Sequence, residues 1–314
     1  MNSARKITVL SAAAFCVLLT FVIDLFVGEL SISLGDFFNS PVVLHLRLPR
    51  AICALAAGAA LATAGAQMQS IFRNPLADPH IMGVSSGSAL GAAIVTMVSG
   101  AAGSVFLGAL MGAVITALLV MMVAARFRNA STVLIFGVLL GYILGAATSL
   151  LGYLSSHESL RIFYNWTVGS FASSSMTGAL VLLATAVLVA VSAISGSKGL
   201  DIMLFGDEFA SLSGASPRRI TLWGLSVCCV ATAAVTSLCG PVGFVGIVAP
   251  HISRMLLGTS VHRFVLPASA LIGASFYLLA DIVSQLGPFP LPVGSVVAVL
   301  GVPIVISILL SKRI

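Results

Sequence analysis

Residues able to do chemistry are few in this chain, and they are scattered. Five histidines, nine carboxylates and five cysteines are spread over 314 residues. His251 has no second His, Cys or carboxylate at ligand spacing, and Cys16, Cys53, Cys228, Cys229 and Cys239 form no Cys-x-x-Cys pair. His251 is therefore read as a hydrogen-bonded structural residue and the cysteines as small apolar packing groups. No nucleophile–base set is laid out for covalent catalysis. Glycines cluster between Gly240 and Gly246, but no Gly-Lys-Ser/Thr occurs anywhere, so a phosphate loop is not expected. No catalytic residue, cofactor or resident metal is expected, and any ATP chemistry must come from another chain.

The remaining polar groups sit at the ends of apolar segments. Arg47-Leu48-Pro49-Arg50 precedes an Ala- and Gly-rich run, Ala51 to Phe72, and Arg73-Asn74-Pro75-Leu76-Ala77-Asp78-Pro79 follows it. Gln67 and Gln69 lie inside the run. Small residues let helices approach closely in lipid, and intramembrane polar side chains point to function. The run is read as the buried central helix of a membrane bundle. Pro75 and Pro79 end it and shape a turn. Asp281 is a lone carboxylate inside another apolar run, where burial requires a partner or water.

The elements that carry these groups are membrane spans. The chain is 59% hydrophobic and 8% charged, with a mean hydropathy of +1.15, against about 25% charged residues in soluble domains. This composition predicts an all-α polytopic membrane protein, one domain over residues 1–314. About ten spans of about 20 residues fit. They lie near 7–27, 51–72, 81–99, 102–125, 132–153, 176–195, 220–239, 243–256, 265–286 and 293–311. The first is read as a retained span, because its apolar run is too long for a signal peptide. The eighth is read as short and broken, with Pro250 inside it. Outer loop 154–175, with His157, Glu158, Arg161 and Trp166, has room for a short interfacial helix.

Charge sets the orientation. With the N-terminus inside, Arg5, Lys6, Arg73, Arg126, Arg128, Lys198, Arg218, Arg219, Arg254, Arg263, Lys312 and Arg313 are cytoplasmic. Only Arg47, Arg50 and Arg161 fall outside, as the positive-inside rule requires. Both termini are expected in the cytoplasm. The net charge of +6 is thus topological, and nucleic acid is not an expected partner. The stretch Gly65 to Pro79 resembles Cys239 to His251, which is either an inverted repeat or the chance similarity of two Gly-rich helices.

Several blocks, in order along nearly the whole chain, resemble the iron-chelate and vitamin B12 permease family. These are the membrane subunits of type II ATP-binding-cassette importers. The blocks are Arg47 to Arg50; Gly58, Gly65 and Gln67; Arg73 to Pro79 with Gly83; Gly240 to Arg254; Ala280-Asp281-Ile282; Leu291-Pro292-Val293-Gly294; and Gly301-Val302-Pro303. The resemblance implies two ATPase subunits inside, a soluble substrate-binding protein outside and a second permease copy, all in or on the inner membrane.

Roles follow from that resemblance. Arg47 and Arg50 are expected to dock acidic residues of the binding protein, unless they merely anchor at the lipid interface. Gln285 and Pro290 stand where the family often has further charged residues. Inner loop 197–219 is expected to form two short helices against the ATPase, through Leu204, Gly206, Asp207, Glu208, Phe209, Ala210, Leu212 and Gly214. Phe205, Phe209 and Leu212 form an apolar stripe there, which could also lie on lipid. Ser213 replaces the family's usual Leu. Gln67, Arg73, Asn74, Pro75, Gly243, Phe244 and Pro250 are assigned to the pathway and its gate. Arg73 and Asn74 could equally just cap a turn, and Asp281 could serve helix packing or touch cargo. The function implied is ATP-driven import of a ferric siderophore, haem or cobalamin. The alternative is an ion-coupled secondary transporter, for which Asp24 and Asp281 are the available intramembrane carboxylates.

Overall fold

The structure is a computed structural model that describes residues 3–28, 30, 35, 37, 40–98, 105–127, 129–172, 175–287, 289 and 291–310. Arg128, Pro288, Pro290, Lys312 and Arg313 lie outside the described residues. Among the described residues all regular structure is helical. The chain runs through α1 (Ser3–Phe26), α2 (Leu48–Ile71), α3 (Val84–Ala93), α4 (Val105–Arg126), α5 (Ala130–Leu154), α6 (His157–Thr167) and α7 (Met176–Ser195). It continues through α8 (Ser197–Met203), α9 (Asp207–Leu212), α10 (Pro217–Cys239), α11 (Val245–Leu257), α12 (His262–Gln285) and α13 (Val293–Leu310). Seven helices are long and apolar enough to cross a membrane: α1, α2 with its preceding turn, α4, α5, α7, α10 and α12. Three shorter apolar helices, Val84–Val98, Val245–Leu257 and Val293–Ser307, fall on the remaining expected segments.

Helix α2 is the hub. Its side chains are nearly all buried, against α7, α10, α11 and α12. The cause is side-chain size. At Gly58 and Gly65 the backbone carbonyls of Gly273 and Gly246 occupy the space a Cβ would need. Without a hydrophobic drive between helices in lipid, such close approach supplies the packing. Large apolar residues go the other way. Phe15, Leu18, Tyr142, Ile143 and Leu150 on α1 and α5 are all well exposed, as lipid or another chain in the membrane requires.

Two departures from the sequence reading have local causes. The second span starts before residue 51: a π turn over Val43–Arg47 runs straight into α2, so Arg47 and Arg50 lie within one helix. Pro49 sits in the first turn of α2, where its missing N–H is tolerated, and the wider π turn absorbs its ring. The eighth span is short but unbroken, with Pro250 inside α11. Pro250 cannot donate to the carbonyl four residues earlier, that of Gly246. Gln69 on α2 donates instead, Nε2 to Gly246 O at 3.1 Å. Intramembrane prolines persist only where a neighbour re-satisfies the freed carbonyl, and here an amide does so.

Candidate functional site

At the N-terminal end of α2, Arg47 is a buried cap on α1. Its Nη1 donates to the carbonyls of Leu25 (3.1 Å) and Phe26 (3.2 Å), and Nη2 donates to that of Leu30. The last carbonyls of a helix have no internal donors, and a guanidinium supplies several. One turn on, Arg50 grips Asp281 of α12 with two nitrogens: Nε to Oδ2 at 2.7 Å and Nη2 to Oδ1 at 2.8 Å. Nη2 also donates to Ser284 Oγ at 2.9 Å. Asp281 is fully buried. Gln285 completes the cluster, its Nε2 donating to Asp24 Oδ1 (3.2 Å) and Asp281 Oδ2 (3.1 Å). The two carboxylates that looked separate and peripheral in the sequence are therefore joined at one site, and Gln285 is their bridge. Arg47, Arg50 and Gln285 also line an open cavity of about 260 Å³ with Gly28, Leu30 and Leu46.

Further along α2 lies Gln67. It is 1% exposed, enclosed by the packing around α2, because small residues all round that helix invite neighbours on every side. Its Nε2 has no hydrogen-bond partner among the described residues. It borders a cavity of about 220 Å³ beside Leu200, Trp223 and Gly224. The turn between α10 and α11 carries Gly240 (φ 76°) and Phe244 (φ 65°), the latter a left-handed conformation costly for a bulky side chain. Tyr277 holds this turn, its hydroxyl within reach of the carbonyls of Val242 (3.0 Å) and Gly243 (3.1 Å).

The C-terminal end of α2 gathers most of the remaining candidates. Asn74 Oδ1 accepts from Leu76 N at 3.0 Å, and Asp78 Oδ1 accepts from His80 N at 2.8 Å, which is the capping role expected of a turn. Arg73, at φ 47°, leaves that turn to meet Asp207 of α9, Nη1 to Oδ1 at 3.4 Å. Arg73, Asn74 and Pro75 line a cavity of about 750 Å³ with Gln69, Ser70, Leu204, His251 and Arg254. Inner loop 197–219 does contain two short helices, α8 and α9. Gly206 (φ 104°) and Gly214 (φ 78°) flank α9 as breaks. Ala210 is buried, whereas Leu204, Phe205, Phe209 and Leu212 are exposed, with Leu212 at 88%. Phe205 and Phe209 meet ring to ring at 5.2 Å between centroids. Glu208 joins Asp207, Gly206 and Phe205 beside Arg73 in an adjoining cavity of about 590 Å³.

A second cluster escaped the sequence reading. His262, the first residue of α12, bonds Asp201 of α8 through Nδ1 (2.6 Å) and Ser70 of α2 through Nε2. Burial alone would raise the Asp201 carboxyl's pKa, but hydrogen bonds from the His262 ring and backbone outweigh it and hold the group below its ordinary value. The three residues lie 61 and 192 positions apart, so no spacing pattern could announce them.

Comparison with known proteins agrees with this architecture. The chain is 36% identical to the vitamin B12 import system permease protein BtuC of Citrobacter koseri, over 98% of this chain and 96% of that one. It is 31% identical to the hemin transport system permease protein HmuU of Yersinia pestis, over 91% and 90%. A solved ABC transporter described as metal-chelate type and inward-facing superposes with a TM-score of 0.87 at 30% identity, covering 98% of this chain and 99% of that one. A chain of PsaBC from Streptococcus pneumoniae, with a TM-score of 0.56 at 13% identity, shares the fold alone. With its helices, its turn motifs and a match over residues 16–311, this chain belongs to the FecCD transport family, the permeases of ABC importers.

Proposed function

We propose that this chain is the inner-membrane permease of an ATP-driven importer whose cargo is a metal chelate: cobalamin, haem or a ferric siderophore. The observation that carries this reading is the inner loop. An exposed apolar stripe, Phe205, Phe209 and Leu212, stands on a glycine-bracketed helix and is tied to the inner end of α2 through Arg73. Such a stripe on a polar loop calls for a partner, and an ATPase subunit beneath each of two permease copies supplies one. The cargo class rests on the vitamin B12 and hemin relatives.

Both termini are assigned to the cytoplasm, on the distribution of Arg and Lys. The binding protein docks at the outer rim, where Arg47 and Arg50 line an open cavity. Internal bonds fix both guanidinium groups in place, which lowers the ordering cost of docking. Asp281 matches the charge of Arg50, so Arg47 supplies the uncompensated charge at this rim. The inner gate consists of Arg73, Asn74 and Pro75, with the Gly243–Phe244 turn and Pro250 shaping α11 above it. Co-expression with the candidate ATPase tests the reading: the two should co-purify in detergent, and ATP hydrolysis should rise when the binding protein is added. A permease that retains no ATPase subunit would refute it.

A further inference from the structure

The hydrogen-bonded chain Asp201–His262–Ser70 joins three elements, α8, α12 and α2. Asp201 lies on α8, directly before the exposed stripe of α9. Its Oδ1 accepts two bonds from His262: one from Nδ1 at 2.6 Å and one from the backbone N at 2.8 Å. The same oxygen thus caps the start of α12 and fixes the imidazole. His262 is fully buried, and its Nε2 meets Ser70 Oγ on α2. Ser70 is 1% exposed and sits three residues before Arg73, at the wall of the inner cavity. Its Oγ also lies 3.0 Å from the carbonyl of Ala66. With Nδ1–H committed to Asp201, the hydroxyl either donates to Nε2 or accepts from it while donating to Ala66. Both arrangements leave every group satisfied, so the chain holds in either protonation state.

The arrangement has the order of a catalytic triad but not its access. A nucleophile must reach substrate, and Ser70, although at the cavity wall, is only 1% exposed. What the geometry provides is stiffness. The parallel tie between Arg73 and Asp207 spans 3.4 Å between side chains that are nearly half exposed, where water screens it. His262 and Ser70 are buried, and although the Asp201 side chain is 32% exposed, its two bonds to His262 are short and converge on one oxygen. Hydrogen bonds away from water are stronger and polarise one another.

We propose that Asp201, His262 and Ser70 are positioning residues that carry displacement of the ATPase-facing loop to the inner end of α2. This rests on the reading of that loop as the ATPase contact. A linkage in series makes a specific demand: breaking either end is as damaging as breaking both.

The test uses the full complex in nanodiscs. A bimane on Leu76→Cys reports the α2 turn, in a Cys16→Ala background, since Cys16 is exposed and the other four cysteines are buried. The readout is the ATP-induced change in emission per assembled complex. Asp201→Ala and Ser70→Ala should each cut it about fivefold or more, the lower end of typical coupling. The double variant should be no worse than the weaker single. Asp201→Asn, which keeps the acceptor oxygen, should respond as the wild type does. ATPase co-purification should be unchanged, which a role in folding alone would not predict together with a lost response. Full response in either alanine variant, multiplied losses in the double, or failure of Asp201→Asn would each overturn the linkage. If Asp201→Ala loses its ATPase subunit, Ser70→Ala, which alters no surface residue, decides alone. A wild-type chain that binds no ATPase and gives no ATP response refutes the importer reading instead.

Discussion

Replacing Arg50 by Met leaves Asp281 as a fully buried carboxylate facing Asp24 with only Gln285 and Ser284 for support. Removing one member of a buried ion pair costs about 3–5 kcal/mol, because the remaining charge is stranded. Larger proteins lose about 2 °C of Tm per kcal/mol, so Arg50→Met should lower the unfolding midpoint by roughly 6–10 °C. Arg50→Met combined with Asp281→Leu removes the stranded charge and should recover most of that loss, since apolar replacement of a whole buried pair is often neutral. Thermal unfolding in one detergent at one scan rate measures both, the fixed rate mattering because such unfolding is often irreversible. A fall of under about 2 °C in the single variant, or a greater loss in the double than in the single, would refute the view that this pair braces α2 against α12. The same geometry governs any docking experiment. Arg50→Glu would set a third carboxylate beside Asp24 and Asp281, so weaker docking in that variant would report a damaged permease. Docking is better read from Arg50→Gln with Asp281→Asn, which removes the charge and its buried partner together.

Three further outcomes follow from the described geometry. Cysteines introduced at Ser156 and Ser213 should react with an impermeant thiol reagent from outside and inside respectively; the reverse pattern would invert the assigned orientation. Leu212→Asp, at a fully accessible tip of the apolar stripe, or Gly206→Pro, at φ 104° where proline cannot go, should detach the ATPase or uncouple its hydrolysis from uptake. Unchanged assembly, ATPase rate and uptake in both would remove the loop as the coupling surface. Gln69→Leu leaves the Gly246 carbonyl beside Pro250 without its donor and takes an acceptor from Arg254. It should destabilise the protein by about 1–3 kcal/mol, measured by the same unfolding assay, and a midpoint within error of wild type would show that water replaces the amide.

The spans and the inner loop were legible because their signals are local. Hydropathy marks each helix, and Gly206 and Gly214 bracket the stripe within a few residues of it. The Ala–Gly run of α2 correctly announced a buried helix, and the same smallness encloses Gln67 among its neighbours. Arg50 and Asp281 each carried a readable requirement, an outer cation and a membrane carboxylate in need of a partner. They lie 231 positions apart, so matching them needed the fold. Gln69 was visible as an odd polar residue and Pro250 as a helix breaker; that one repairs the other emerges only when α2 lies against α11. Arg47 was legible as an outer cation, but its cap on α1 was not, because the C-terminal carbonyls it meets have no signature in the sequence.

ATP-driven import of a metal chelate is read out by uptake into proteoliposomes holding the permease and its ATPase, with ATP enclosed and the binding protein outside, offered cyanocobalamin, hemin and a ferric siderophore in turn. Accumulation of one of these should require ATP hydrolysis and the binding protein and be indifferent to proton and sodium gradients. Accumulation driven by either gradient without ATP would contradict it and return Asp24 and Asp281 to the centre of the mechanism.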